Sequence, residues 1–247
     1  MIDSRSFHKD CRRKINRINS NFSKQVSVPD LDEYINEALY TWFRNNSAKV
    51  EINSETRGDL RQFENRGVAL DFKEKDDKKS IYELPKDFYK LLNQRLKASI
   101  DCGKAHLEEC KGCIGRDINI RIVQSGEVND LIEDPYWGPS FEWQETIGDD
   151  SESGLHVWHN NKFNIDSVII DYLREPNEVR TPSLMKEGYY TIGKNKYSKD
   201  KPLELSPIRA HEVSDLVALF VARDISDSDE FQTQINKIST KEQSYTN

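Results

Sequence analysis

Long apolar runs are missing from this chain: no stretch approaches the roughly 20 residues needed to span a bilayer, so no membrane partner is expected. Apolar residues are scarce overall, 36% of 247 residues against 32% charged, with a mean hydropathy of −0.80. A modest core is therefore expected, with some apolar surface hidden only on assembly. Disorder is excluded as a general account, because 10% of the residues are aromatic and disordered chains lack these. A basic excess is also absent. The net charge of −7 and pI of about 5.4 exclude a general nucleic-acid binder, since neutralising phosphates needs clustered Lys and Arg. The first residues are polar and charged, with no apolar stretch of an export signal. Cys11, Cys102, Cys110 and Cys113 are then expected as reduced thiols or metal ligands rather than a disulfide framework.

Catalytic signatures are missing too. Gly193-Lys194 lacks the earlier glycine and the following Ser or Thr of a phosphate-binding loop. Gly138-Pro139-Ser140 is not the Gly-x-Ser-x-Gly of a nucleophile elbow. His211-Glu212 begins like a zincin helix, but Asp215 holds the second histidine position. His156 and His159 have the wrong parity to share one face of a strand. The carboxylates are spread like a solvated surface, and no catalytic pair stands out. No enzyme is expected, and a hydrolase has no supporting motif. There is no internal repeat or low-complexity tract.

What is present begins with a basic segment: Arg5, Lys9, Arg12, Arg13, Lys14, Arg17 and Lys24, with only Asp3 and Asp10 to oppose them. Phe7, Cys11, Ile15 and Ile18 recur there at helical spacing. After a break at Ser27-Val28-Pro29, Asp30 reads as an N-cap, with Asp32 and Glu33 in the first turn. The helix it opens carries a continuous apolar stripe of Leu31, Tyr34, Ile35, Ala38, Leu39, Trp42 and Phe43. That stripe must bury itself against the chain's own core or against a neighbouring copy. A short helix is read near residues 58–66 and another near 126–133. Strands are read at 68–72, 80–84 and 118–123, and 155–159 with 168–173 as a further strand pair. A charged turn joins the first two. Residues 177–202 read as a long Lys- and Gly-rich loop with an interaction role. Near the C-terminus, Ser206 and Pro207 open a helix lined by Val213, Leu216, Val217 and Phe220, and a second follows with Phe231, Ile235 and Ile238 at i, i+4 and i+7.

The fold expected is α+β, with N- and C-terminal amphipathic helices forming a helical part around a strand-rich middle. In chain order that gives an N-terminal helical part at 1–66, then a strand-rich middle with Cys-rich and aromatic loops at 67–176. A long loop at 177–205 and a C-terminal helix pair at 206–247 complete it.

Two constellations invite chemistry. Cys102, His106, Cys110 and Cys113 are zinc ligands by type, and Cys110-Lys111-Gly112-Cys113 resembles half of a zinc knuckle. On one straight helix Cys102 and Cys110 would stand roughly 12 Å apart, too far for one ion bound at about 2.3 Å. A structural zinc therefore requires a bend at Gly103 or Gly112; otherwise these are reduced cysteines near a loop. The second is the aromatic loop at 134–143, too rich in Pro and Gly for regular structure. There Trp137, Phe141 and Trp143 suit stacking on bases, or, in an acidic chain, an interface or core plug.

Several phrases in order resemble the head-to-tail adaptor (connector or neck) proteins of tailed bacteriophages. They are an early amphipathic helix, then Tyr82 to Tyr89 (Tyr-Glu-Leu-Pro-Lys-Asp-Phe-Tyr), then Val168 to Pro176 (Val-Ile-Ile-Asp-Tyr-Leu-Arg-Glu-Pro), then Ala210 to Phe220 followed by Phe231 to Lys237. The aromatic loop and the Cys-rich insert look most like a portal-proximal ring protein in the tail barrel of crAss-like phages. Together the phrases cover about two thirds of the chain. The resemblance implies a non-enzymatic virion protein at the tail and portal vertex, assembled in the host cytoplasm. It would form a ring of twelve copies below the portal, connect capsid to tail, and contact the portal and other tail ring proteins. Genomic DNA would pass through the ring without sequence-specific binding, which suits an acidic wall. No cofactor is implied beyond the candidate structural zinc. Leu31, Ile35, Leu39, Trp42, Phe231, Ile235 and Ile238 are the expected partner interface. An enlarged, strand-containing middle departs from simpler adaptors. A small zinc-containing nucleic-acid-binding module is the alternative reading, distinguished by salt-sensitive binding to DNA or RNA.

Overall fold

The computed structural model describes residues 2–18, 26–49, 58–76, 78–101, 113–124, 126–134, 136–151 and 153–225. The chain divides into two compact units, one formed by residues 1–62 with 176–247 and the other by 63–175.

The first unit contains α1 (Ser4–Ile18) and α2 (Val28–Ser47). α2 starts three residues earlier than an N-cap at Asp30 implies. Ser27 is the cap: its Oγ accepts from the Asp30 N–H at 3.3 Å, and Asp30 stands three residues on, as in a capping box. Pro29 fits inside the first turn because the N–H it lacks has no helical partner there. Buried Phe7, Cys11 and Ile15 line one face of α1, and Leu31, Ile35, Ala38, Leu39, Trp42 and Phe43 line α2. A later helix, Pro207–Ile225, packs against both and buries Val213, Val217 and Val221. Between 176 and 206 the chain is mostly irregular but tied down. Arg180 bridges Lys201, Leu203 bridges Ile2, and a small antiparallel hairpin spans Tyr190–Ile192 and Asn195–Tyr197.

The second unit is one eight-stranded sheet: β1 (Glu64–Ala69), β2 (Asp71–Lys75), β3 (Lys79–Glu83), β4 (Phe88–Asp101), β5 (Cys113–Ile122), β6 (Glu145–Ser151), β7 (Gly154–Trp158) and β8 (Asn164–Arg174). The spatial order is β1-β8-β4-β5-β6-β7-β3-β2. Its two edge strands are consecutive in sequence, separated only by Leu70, so the sheet curls until its edges are two halves of one bent segment. Leu96, Ile118, Ile120, Leu155, Val157, Val168 and Ile170 fill the enclosed side. Gly154 makes the β6–β7 turn at φ 132°, where an added Cβ would stand 2.3 Å from the Tyr82 carbonyl oxygen.

These observations correct the α+β expectation of an adaptor-like helical part around a strand-rich middle. The fold is mostly strand-based, built on one curled sheet, and a single helix (207–225) stands at the C-terminal end of the described residues where a helix pair was expected. Part of the reason lies in β4 and β6, which received no strand assignment. Lys, Arg, Gln and adjacent leucines in β4, and Gly-Asp-Asp in β6, carry little strand propensity of their own. Pairing on both sides makes them strands. The pairing of 155–159 with 168–173 is also corrected: β7 lies between β6 and β3, and β8 between β1 and β4.

The two phrases at 82–89 and 168–176 meet within the sheet. Tyr172 donates to Asp87 at 2.9 Å and accepts from the Asn65 amide at 2.9 Å, and its ring lies 5.7 Å from that of Phe88. The Glu175 N–H closes the same corner on the Asp87 carbonyl at 2.8 Å.

Candidate interaction surface

β5 and β6 are the sheet's parallel pair, and parallel neighbours need a long crossover. Residues 123–144 supply it, carrying a short helix (α3, Val128–Ile132) and then the aromatic loop. The loop is held by its own short-range bonds. Asp134 Oδ1 accepts from the N–H groups of Tyr136 at 2.7 Å and Trp137 at 2.9 Å, and its carbonyl accepts from Gly138 at 2.9 Å. Gly138 is required there, because a Cβ would meet the Asp134 carbonyl oxygen at 2.5 Å and that of Ile132 at 2.8 Å. Ser140 and Glu145 exchange backbone hydrogen bonds, and the Ser140 hydroxyl accepts from the Trp143 N–H at 3.3 Å.

Phe141 turns inward and packs on Phe163, with ring centroids 6.3 Å apart, so it is the core plug. Tyr136, Trp137 and Trp143 turn outward and are 69%, 56% and 60% exposed. Tyr136 and Trp143 lie 6.3 Å apart. The Arg121 guanidinium lies 5.0 Å over the Trp137 ring and donates to the Trp137 carbonyl at 2.8 Å. Arg116 sits 5.3 Å over Phe141. Three half-open aromatics on one short loop amount to roughly 400 Å² of apolar surface, the scale of an interaction patch. The hydrogen bonds that hold the loop reduce the backbone ordering that covering them would require.

A second constellation is buried in the first unit. Asp32 is 0% exposed; it accepts from the Thr181 N–H at 2.7 Å, the Thr181 hydroxyl at 3.1 Å and the Tyr190 hydroxyl. His8, 1% exposed, places Nε2 3.7 Å from Asp32 Oδ1. Burial raises the Asp32 carboxyl, against the hydrogen bonds from Tyr190 and Thr181 that favour its charge. Burial, then the charge of Arg12, lowers His8 to about 4, so the imidazole is neutral at pH 7. Ser4 is also on this buried face, and among the described residues neither its hydroxyl nor His8 Nε2 has a hydrogen-bond partner. The cluster ties α2 to residues 180–190.

Of the expected interface residues, Leu31, Ile35, Leu39 and Trp42 are buried in the chain's own core, and the Trp42 indole donates to Glu212 at 2.8 Å. These four side chains are thus already covered within the chain itself. Phe231, Ile235 and Ile238 lie outside the described residues, as do the candidate zinc ligands Cys102, His106 and Cys110, while Cys113 opens β5. Among the described residues no three His, Cys, Asp or Glu side chains cluster as a metal site, and no helix is long and apolar enough to cross a membrane. His156 Nε2 lies 2.7 Å from the Ser153 hydroxyl, whereas His159 is buried beside Phe163. An open depression of about 590 Å³ is lined by Ile122, Val123, Gln124, Glu127, Asp149 and Asp150, three of them carboxylates. Sequence reasoning missed the polar network. Its signal was Asp32 falling in register with Ile35, Leu39 and Phe43, on the stripe rather than beside it.

No protein-family model matches the chain, and no curated protein matches it in sequence.

Proposed function

We propose that this chain is a structural virion protein of a tailed bacteriophage, forming an oligomeric ring below the portal that connects capsid to tail and lines the DNA channel. The observation that carries the proposal is the preorganised outward triad of Tyr136, Trp137 and Trp143, an apolar surface built to be covered. The two phrases that carry the resemblance also meet at one corner of the sheet, through Tyr172 and Asp87, as parts of a single motif would. The acidic balance suits a wall along which DNA slides. In this reading the ring is held through outward side chains rather than the α2 stripe, and its partners are further copies, the portal and the neighbouring tail rings.

The test is co-expression with the portal of the same particle, followed by mass measurement and cryo-microscopy of the product. A multi-copy ring, twelve by the resemblance, seated on the portal is the expected outcome. A chain that stays single in the presence of assembled portal overturns the proposal.

A further inference from the structure

We infer that neighbouring copies in this ring meet head to tail, the Tyr136–Trp137–Trp143 face of one seated on the basic outer row of α1 in the next. The inference rests on the ring reading and names the surfaces that build it.

The aromatic face is set in a strongly acidic stretch. From residue 122 to residue 161 the chain has nine Asp or Glu and no Lys or Arg. Exposed Glu142 and Glu145 stand on either side of Trp143 and Gln144. Arg116 and Arg121 pack onto this loop from β5, but Glu142 and Glu145 remain exposed beside Trp143, so the excess charge there is negative and a cationic protein surface complements it. Arg121 over Trp137 and Arg116 over Phe141 show that the rings of this loop already accept guanidinium groups.

The complementary surface is on the same chain. α1 buries Phe7, Cys11 and Ile15 on one face and exposes Lys9, Arg13 and Arg17 on the other. At four-residue intervals these cations stand about 6 Å apart along the helix, the spacing of the Tyr136 and Trp143 rings at 6.3 Å. Arg13 pairs with Asp10 at 2.7 Å, but both are more than half exposed, so this pair is easily exchanged for a better one. Because the two surfaces differ, the contact is heterologous, the type that generates a ring when the rotation between copies closes.

The test uses charge reversal on the full chain, read by mass photometry and sedimentation. One variant carries Glu142→Lys and Glu145→Lys; the other carries Lys9→Glu, Arg13→Glu and Arg17→Glu. All five side chains are exposed, so a circular-dichroism melt should match that of the parent chain. Each variant alone should self-associate roughly tenfold or more weakly. An equimolar mixture of the two should regain assembly, because every contact in an alternating ring then joins opposite charges. Trp143→Ala should weaken assembly without any charge change. If the parent chain assembles and the reversed variants assemble equally well, or if the mixture fails where each alone fails, the inference is overturned while the ring reading stands. A parent chain that remains single, with portal present, overturns both.

Discussion

Replacing His8 by glutamine should remove most of the acid sensitivity of the unit formed by residues 1–62 and 176–247. The buried imidazole titrates near 4 when folded and near 6.5 when unfolded. Below pH 6.5 the unfolded chain therefore takes up a proton that the folded chain refuses, and stability falls as the pH falls. The loss works out at about 2 kcal/mol by roughly pH 5 and about 3 kcal/mol by roughly pH 4, with little further change below. Asp32 acts in the opposite sense: its carboxyl is raised, so its contribution is present in acid and lost as the pH rises through its folded value. The two are 3.7 Å apart, and Arg12 adds positive charge, so a raw stability profile mixes them. The difference between parent and His8→Gln isolates the imidazole. Urea melts followed by Trp42 fluorescence, with Trp137, Trp143 and Trp158 replaced by Phe, report this unit alone. The parent should lose its advantage over the variant progressively between roughly pH 6.5 and pH 4. A difference that stays flat across that window refutes a neutral, buried His8.

Gly154→Ala should destabilise the sheet unit by roughly 1–3 kcal/mol in urea melts, because φ is 132° and the new Cβ meets the Tyr82 carbonyl oxygen. Tyr172→Phe should cost about 1–2 kcal/mol in the same assay, through the lost bonds to Asp87 and Asn65. Ser27→Ala should cost about 1 kcal/mol in the other unit, and Asp30→Ala should be felt there too, since both belong to one cap. A neutral Ser27→Ala would return the cap to Asp30.

Strong local patterning made some elements readable. The α2 stripe recurs at helical spacing, and the apolar stretches at 80–84, 118–123, 155–159 and 168–173 each fall on a strand, although two of those strands begin earlier, at Cys113 and Asn164. β4 and β6 were not readable, because partners on both sides rather than their own residues hold them extended. Strand order was invisible for a related reason. The run at 68–72 straddles two strands, and only the turn at Leu70, which sends one half to each edge of the sheet, reveals that the sheet curls. In the aromatic loop, Pro and Gly announced irregular backbone, yet which ring turns inward depends on Phe163, twenty-two residues beyond Phe141. Asp32 was read as a helix-dipole charge because acidic residues usually occupy first turns for that reason. Its acceptors are instead used by Thr181 and Tyr190, far away in sequence.

The curled sheet also bears on how copies can meet. Sheet edges are the usual route for one chain to add to another, and here they are short and interrupted. β1 and β2 run six and five residues, each with a register shift, between Asn65 and Val68 and between Phe72 and Glu74. β2 is exposed throughout and carries Asp71, Lys73, Glu74 and Lys75, which oppose the docking of another strand. Among the described residues, most of the apolar side chains of the first unit's helices lie inside its own core, with Ile208 and Tyr40 left exposed. Backbone pairing and stripe-to-stripe packing are thus both poor routes to a stable contact between copies. The pinned aromatic loop is a better one, since its three outward rings need no rearrangement to be covered.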